Sequence, residues 1–367
     1  MAEINLIIPC AGNGQRFIDA GFNIYKPLIS VFGKPMIRHV IDAFPKGTAI
    51  WIIIDEPHRS LLSGVLAEYD NIHFIVIEPH KLGPAWSIVK AEKELPHNEP
   101  CFVAYNDVMW KWNFEHVEDF IKKSQTDGIV FTQTGYHPHL YKNSFSAFCK
   151  TNGNRLLEIK EKGCFTDDWM DEPLSTGVYY FSNTSVMLAN AKLLVKKNIM
   201  TAGEFFPSEI FNLMLAQGLT AHTLETKAFL HSGIPEQLSD AEEWNEILNT
   251  KNQPNNLPLL MMMCGEGTRM KIIDKENKAG ISIGGMAMYE FVAKKMYSDN
   301  ITYLVNDETL PIIKHGEKTI NIHKQTKSQT ESLKSALSSL PASKDLLVIS
   351  NDCYGIFDVE YHEKLRD

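Results

Sequence analysis

The sequence predicts an α/β fold built on a mostly parallel sheet, and three observations carry that prediction. β-favouring runs alternate with amphipathic ones through the opening part of the chain. Those β runs are nearly uninterrupted in their apolar character, which is how strands covered on both faces read. Glycines and polar residues follow directly on their ends, where ligands gather in parallel sheets.

Taken in order, "INLIIP" (4–9), "AIWIII" (49–54), "IHFIVIE" (72–78) and "CFVAY" (101–105) read as strands. Between them "KPMIRHVIDAF", "PHRSLLSGVLAEY" and "GPAWSIVKAEKEL" carry apolar residues at helical spacing. Strand–helix–strand succession implies right-handed crossovers in a layered α/β domain. Gly12 to Arg16, Glu78 to Gly83 and Asn106-Asp107 should therefore converge on one rim. From 128 to 182 "GIVFTQT", "SFSAFCK", "RLLEIKE" and "STGVYYF" come without long helices, which predicts an antiparallel extension covering that rim. Helices at 184–197 and 204–217, a strand near 220–226 and a helix from 235 finish a first domain at residue 248. The polar, proline-containing "NTKNQPNNLP" then supplies a linker at 249–256.

After the linker the opening pattern returns. Gly265-Glu266-Gly267-Thr268-Arg269 answers Gly12-Asn13-Gly14-Gln15-Arg16, and Lys278 answers Lys26. "ISIGGMAMYEFV" answers "ISVFGKPMIRHV", and "LLVISNDCY" answers "CFVAYNDVM", setting Asp352 against Asp107. Only 15 residues follow Asp352, so residues 257–367 read as half of a second domain.

The bulk numbers bound the rest. A length of 367 residues fits two domains, and 44% hydrophobic residues suffice for real cores. The net charge is −9, and residues 257–367 are nearly neutral with 14 basic and 15 acidic side chains. Nucleic-acid binders need a basic stripe, so that class is excluded, while cations in a cleft still suit a small phosphate ligand. Six scattered cysteines with no C-x-x-C pair read as reduced thiols. With no signal-peptide pattern and no apolar run of spanning length, the expected location is the cytoplasm.

A glycine pair after a strand lets backbone N–H groups approach an anion, although a tight turn explains such a pair as well. The dinucleotide fingerprint fails because Phe17 stands where a third glycine belongs, and no G-K-[ST] completes a P-loop. What sets this loop apart is its company: Arg16 and Lys26 bracket it, and the whole constellation occurs twice. Arginine grips phosphate in a bidentate way and lysine acts as a point charge, which suits a triphosphate whose leaving pyrophosphate must be stabilised. Asp107, after a β run, is placed to hold Mg²⁺ or to serve as a turn residue.

Several conspicuous residues have plain explanations. "MMM" (261–263) reads as a buried strand, and His137-Pro138-His139 reads as a turn, since no third metal ligand stands nearby. "HKQTKSQTESLKSALSSLPASK" (323–344) reads as a loop leading into a solvated helix. For Trp110 and Trp112, walling a pocket and packing on the sheet both stay open.

The ordered set "GxGxRF", "KPL", "GKPMI", "LGPAWS", "YND", "EIKEKG", "STGVYYF", "GEFFPSEIFNLM" and "GIPEQL" resembles the sugar nucleotidyltransferase (nucleoside-diphosphate-sugar pyrophosphorylase) family over residues 4–248. Within it, the chain resembles the branch found in bacterial capsule and surface-polysaccharide loci. Residues 257–354 resemble its nucleotide-binding half. The resemblance implies a three-layer α/β/α, GT-A-like fold followed by a truncated repeat. It implies transfer of a nucleotidyl group from an NTP to a small phosphorylated acceptor such as a sugar phosphate, with Mg²⁺ and no covalent enzyme intermediate. Position by position, it places Ala11, Gly12, Gly14 and Arg16 around the triphosphate, Lys26 on the phosphates, Asn106 beside the nucleotide and Asp107 on Mg²⁺. Glu78 would read the base edge with Gly83 closing against it, Lys162 would hold the acceptor phosphate, and Thr176, Gly177 and Glu204 would line the acceptor site. In the second copy Gly265, Gly267, Arg269, Lys278 and Asp352 are the corresponding candidates.

One departure stands out. Where many members carry an aspartate in W-x-D-x-G as a second metal ligand, this chain has "FLHSG" with His231. A carboxylate at 78 accepts hydrogen bonds, which favours an amino-bearing base and gives CTP as the expected nucleotide. The rival expectation is a non-catalytic nucleotide-binding regulator or assembly protein, motivated by His231. Homo-oligomerisation is left open.

Overall fold

A computed structural model describes residues 4–12, 14–135, 146–250, 252–265, 267, 277–283, 285–340 and 345–355. His137-Pro138-His139 and Arg269 lie outside the described residues. The chain divides into two compact units, Met1–Glu243 and Trp244–Asp367. The division falls inside a helix, a few residues before the polar stretch expected to link two domains.

In the first unit the opening βαβ pattern is realised as β1 (Asn5–Pro9), α1 (Gln15–Asp19), a short ribbon of β2 (Ser30–Val31) and β3 (Lys34–Pro35), and α2 (Met36–Asp42). Then follow β4 (Ala49–Ile54), α3 (Glu56–Val65), β5 (Ile72–Val76), α4 (Pro84–Lys90), β6 (Cys101–Ala104), β7 (Val108–Lys111) and α5 (Phe114–Ser124). The later part supplies β8 (Gly128–Gln133), β9 (Phe148–Asn152), β10 (Arg155–Lys160), β11 (Leu174–Phe181), α6 (Thr184–Lys196), α7 (Ser208–Ala216), β12 (Ala221–Glu225), β13 (Ala228–His231) and α8 (Pro235–Asn249). The helix expected from 204 begins at Ser208, because Pro207 lacks the N–H of a helix interior and Glu204 bridges back to Thr201.

Nine strands form one sheet in the order β5-β4-β1-β6-β11-β8-β12-β10-β9. β5, β4, β1 and β6 run parallel, β11 turns against both β6 and β8, β12 follows β8, and β10 opposes β12 and β9. Only β11 and β10 therefore point against the common direction. The period of two in a strand sorts its side chains into two cores. Leu6 and Ile8 join Ile37, Val40, Leu62 and Val117 from α2, α3 and α5. Ile7 joins Ile88, Leu188, Leu194 and Phe211 from α4, α6 and α7. Fully burying such an aliphatic side chain stabilises the fold by ~1.5–3 kcal/mol, which is why uninterrupted apolar strands sit here.

The second unit contains β14 (Leu259–Met262), the ribbon β15 (Ser282–Ile283) and β16 (Met286–Ala287), α9 (Met288–Met296), β17 (Ile301–Val305), β18 (Thr319–Asn321), α10 (Gln329–Ala336) and β19 (Leu347–Ser350). Its sheet runs β18-β17-β14-β19, all parallel, the same order in which the first unit sets β5, β4, β1 and β6. The Met261 side chain is fully buried, in keeping with a core strand. The polar stretch from 249 is no free tether. Asn252 is buried and donates to the Lys295 and Gly355 carbonyls at 3.1 and 2.8 Å, and Asn255 donates to Met296 O at 3.0 Å.

Candidate active site

The carboxyl ends of β1 and β6 open into a cavity of about 490 Å³. Ala11, Gly12, Gly14, Arg16 and Lys26 line it from the β1 side. Gly14 adopts the left-handed region at φ 62, and a Cβ there would stand 2.8 Å from Lys26 Cβ. Glycine is thus demanded by both backbone and packing, and it lets the lysine stem lie against the loop. A Cβ at Gly12 would meet no atom of the described residues within 4 Å, and Gly12 itself lines the cavity. Lys26 opens a 3₁₀ turn over Lys26–Leu28, closed by Ile29 N donating to Lys26 O at 3.1 Å.

Asp107 follows β6 and meets this lysine, with Lys26 Nζ donating to Asp107 Oδ2 at 2.6 Å. Burial raises the Asp107 pKa, but Lys26 and His231 outweigh it and hold the carboxyl below its usual range. Asn106 donates from Nδ2 to Pro9 O at 3.2 Å and to Cys10 Sγ at 3.4 Å, tying the end of β6 to the end of β1. Its amide acts on the scaffold of the site.

His231 arrives by a pairing that no local pattern announced. β13 runs antiparallel to β7, with His231 opposite Val108, and Ser232 N donates to Asp107 O at 2.9 Å. The imidazole Nε2 stands 3.7 Å from Asp107 Oδ2, while Nδ1 lies 2.8 Å from Gln237 Oε1 on α8. Burial pushes its pKa down, Asp107 pulls it up, and Lys26 pushes it down again, for a net lowering. The neutral ring donates from Nδ1 to Gln237, leaving the Nε2 lone pair beside Asp107. Where the resemblance would place a second carboxylate, this chain sets a packed, hydrogen-bonded histidine.

The same cavity is also lined by Lys162, Thr176, Gly177 and Glu204. Lys162 sits at φ 53 with Nζ 4.8 Å from the Phe206 ring centroid. Thr176 is buried and its hydroxyl donates to Phe131 O at 3.0 Å, so that group is spent on the sheet. Between these residues stands Glu161, which the sequence reading passed over. Burial pushes its carboxyl up to about 7, with Ser208 Oγ donating to it at 2.5 Å and Lys162 pulling it down. The signal was available in "EIKEKG", where an acid precedes the lysine directly.

Glu78 does not join the site: it is exposed and stands outside the cavity lining. It lies two residues beyond the end of β5, and the chain reaches the cavity only at His80 and Lys81. His80 Nδ1 accepts from Leu82 N–H at 3.1 Å and Nε2 faces Ser87 Oγ at 2.9 Å, a polar pair at the cavity wall. Gly83 follows, and its loop is clamped to the segment after Glu204 by Phe205 N donating to Leu82 O and Ala85 N donating to Phe205 O, at 2.9 and 3.0 Å. Trp110 and Trp112 pack with Phe44 in edge-to-face contacts, and Trp112 Nε1 donates to Ala43 O at 2.8 Å. Neither lines the cavity.

Among the described residues no group of three or more His, Cys, Asp or Glu is arranged to hold a metal. Asp107 lines the cavity with one carboxylate, which fits a Mg²⁺ taking its other oxygen ligands from phosphates and water. His231 Nε2 adds a nitrogen and does not extend that oxygen set.

In the second unit the candidates Gly265, Gly267, Lys278 and Asp352 are described, and Lys278 Nζ forms an ion pair with Asp352 Oδ2.

A family model described as nucleotidyl transferase matches residues 6–247, more than half of the chain. The chain belongs to the nucleotidyl transferase family. Among curated relatives, the mannose-1-phosphate guanyltransferase of Debaryomyces hansenii is 32% identical over 141 residues, covering 37% of this chain and 39% of that one. The bifunctional protein GlmU of Brevibacillus brevis is 23% identical over 255 residues, covering 66% of this chain and 52% of its own. The chain thus spans about half or less of the curated relatives it matches. A nucleoside-diphosphate-sugar pyrophosphorylase from Vibrio cholerae RC9 superposes with a TM-score of 0.54 at 17% identity, covering 65% of this chain and 99% of that one. The inositol-1-phosphate CTP transferase of T. maritima gives 0.50 at 15%, covering 66% and 98%. At these identities the solved structures speak for the fold. No helix among the described residues is long and apolar enough to cross a membrane.

Proposed function

We propose that the first unit is a sugar-phosphate nucleotidyltransferase, joining the NMP part of an NTP to a small phosphorylated acceptor and releasing pyrophosphate. The observation that carries this reading is one cavity whose lining includes Gly12, Gly14, Lys26 and Asp107 together with Lys162 and Glu204. Two anions brought into that space would find both Lys26 and Lys162 in its lining.

In this reading an acceptor phosphate oxygen attacks the α-phosphorus of the NTP. The P–O bond to the β-phosphate breaks, and its electron pair leaves with pyrophosphate. No side chain need become covalently attached, so positioning and charge stabilisation supply the acceleration. Lys26 and Arg16 balance the charge growing on the leaving group, while Lys162 holds the acceptor phosphate. Asp107, with phosphate oxygens, would hold Mg²⁺, which when bound neutralises charge on the polyphosphate. Glu161 and Glu204 are the acceptor-side carboxyls that could take hydroxyl hydrogen bonds. The cytosine preference expected from Glu78 is not carried forward, because that carboxylate stands outside the cavity.

Residues up to the boundary within α8 would form this catalytic domain, and residues 257–355 a partial second copy. Its support is the shared strand order of the two sheets. A non-catalytic nucleotide-binding regulator is the second reading, favoured by His231 at the place of an expected carboxylate.

The deciding experiment measures pyrophosphate release with each of ATP, GTP, CTP, UTP and dTTP against a panel of sugar 1-phosphates and polyol phosphates, in Mg²⁺. Turnover that is abolished in Asp107→Asn supports the transferase. Saturable NTP binding to the first unit without pyrophosphate release from any pair overturns it in favour of the regulator.

A further inference from the structure

The second unit repeats more than a sequence pattern. A Cβ at Gly265 would meet no atom of the described residues within 4 Å, as at Gly12. Gly267 adopts φ 61, matching 62 at Gly14, and a Cβ there would stand 3.0 Å from Lys278 Cβ. Lys278 opens a 3₁₀ turn over Lys278–Gly280, closed by Ile281 N donating to Lys278 O at 3.4 Å. The ribbon β15–β16 follows, and Met288 N donates to Ile281 O at 2.9 Å, as Met36 N does to Ile29 O at 3.0 Å. Asp352 stands just beyond β19, the strand beside β14, as Asp107 stands beyond β6 beside β1. Lys278 closes onto that carboxylate, whose pKa is raised by burial but held below the usual range by Lys278 and Ser350.

We infer that this unit holds its own binding site for the polyphosphate of a nucleoside triphosphate with its divalent cation, built by Gly265, Gly267, Lys278 and Asp352. The inference takes as its template the reading of the first unit as an NTP site. Packing does not call for the device: an ion pair with side chains 25% and 32% exposed contributes only ~0–1 kcal/mol. Lys278 instead supplies a point charge to phosphate. Asp352 supplies a hard oxygen ligand to the cation that accompanies it. Gly265 carries no Cβ, and a nearby anion can approach its backbone more closely than at any other residue type.

The test is equilibrium dialysis of the full chain with labelled ATP, GTP, CTP and UTP, with Mg²⁺ or with EDTA, and with inorganic tripolyphosphate as competitor. Wild type, Lys26→Ala, Lys278→Ala and the double variant are compared, each checked for an unchanged melting transition. The expected result is two nucleotides per wild-type chain, one in each single variant and none in the double. One nucleotide in wild type, lost with Lys26→Ala and untouched by Lys278→Ala, overturns the inference and leaves the first-unit reading standing. One nucleotide lost only with Lys278→Ala sinks the first-unit reading and keeps this one, and no binding by wild type sinks both. Tripolyphosphate displacing the second nucleotide as well as any NTP does would remove the nucleoside from the proposal. Asp352→Asn, which preserves the shape of the side chain, guards against a Lys278→Ala chain that does not fold. In the Lys26→Ala background it should cost roughly tenfold in affinity with Mg²⁺ and little in EDTA. An unchanged affinity in Mg²⁺ would overturn the role of the carboxylate.

Discussion

Lys26 and Asp107 meet at the floor of a cavity with side chains 18% and 12% exposed, whereas Lys278 and Asp352 are 25% and 32% exposed. The loop, the lysine turn and the carboxylate after a neighbouring strand are common to both. What differs is the shell. In the first unit β7, β13 and Gln237 flank Asp107, and Lys162, Glu161 and Glu204 line the same cavity. Among the described residues of the second unit no such walls stand around Asp352. The glycine–lysine–aspartate set is thus separable from the shell around it. The shell desolvates the pair and strengthens every charge interaction within it.

The largest effect should come from Lys26→Ala, which should lower pyrophosphate release by ~10²–10³-fold, the scale of removing one preorganised charge contact. A coupled pyrophosphate assay checks this. A loss under tenfold would mean that the first pair is no more engaged in chemistry than an ordinary surface pair.

Next comes the shell itself. Glu161 is held up to about 7 by burial against an ordinary 4.5, so the folded state keeps its proton where the unfolded chain has lost it. Stability contributed by this group is therefore present below pH 4.5 and is lost as pH rises through 7, by at most about 3 kcal/mol. Urea unfolding at pH 5 and pH 8 should show Glu161→Gln flattening that decline. An unchanged pH dependence would mean that the carboxyl is better solvated than its burial indicates.

Gly233→Ala probes the seal over Asp107. A Cβ there would stand 2.3 Å from His231 Cε1 and 2.9 Å from Asp107 Oδ2, so the ring must turn. The expected cost is ~1–3 kcal/mol in stability, with a fall in turnover, read from the melting transition and the same assay. Full activity at an unchanged melting temperature would show that the histidine is free to leave the carboxylate.

The smallest effects compare the two loops directly. Gly14→Ala and Gly267→Ala each force a side chain into the left-handed region, at ~1–2 kcal/mol. The tighter approach at Gly14, 2.8 Å against 3.0 Å, should make the first the costlier of the two. The reverse order would show that the second loop is the more rigidly packed.

Much of this was legible along the chain. The strands announced themselves because burial on both faces demands unbroken apolar runs, as in Leu6, Ile7 and Ile8. The loop and its lysine were readable because Gly14 and Lys26 answer each other over a short separation, and Asp107 because it follows a strand end. Glu78 follows a strand end yet is not in the cavity lining, because sequence distance from a strand does not say how far the chain must travel to reach the rim. The two tryptophans stayed ambiguous because apolar aromatic residues suit a pocket wall and a core equally.

The sequence by itself determined the α/β order, the family and the repeated glycine–lysine–aspartate set, since each depends on periodicity or on neighbours close along the chain. Only the tertiary structure decided that β13 would lie against β7 and set His231 beside Asp107, that Glu161 would be buried and that Glu78 would stay outside. Those outcomes depend on pairings between segments far apart in the chain. Register and burial there are set by packing across the whole sheet, which no local pattern records.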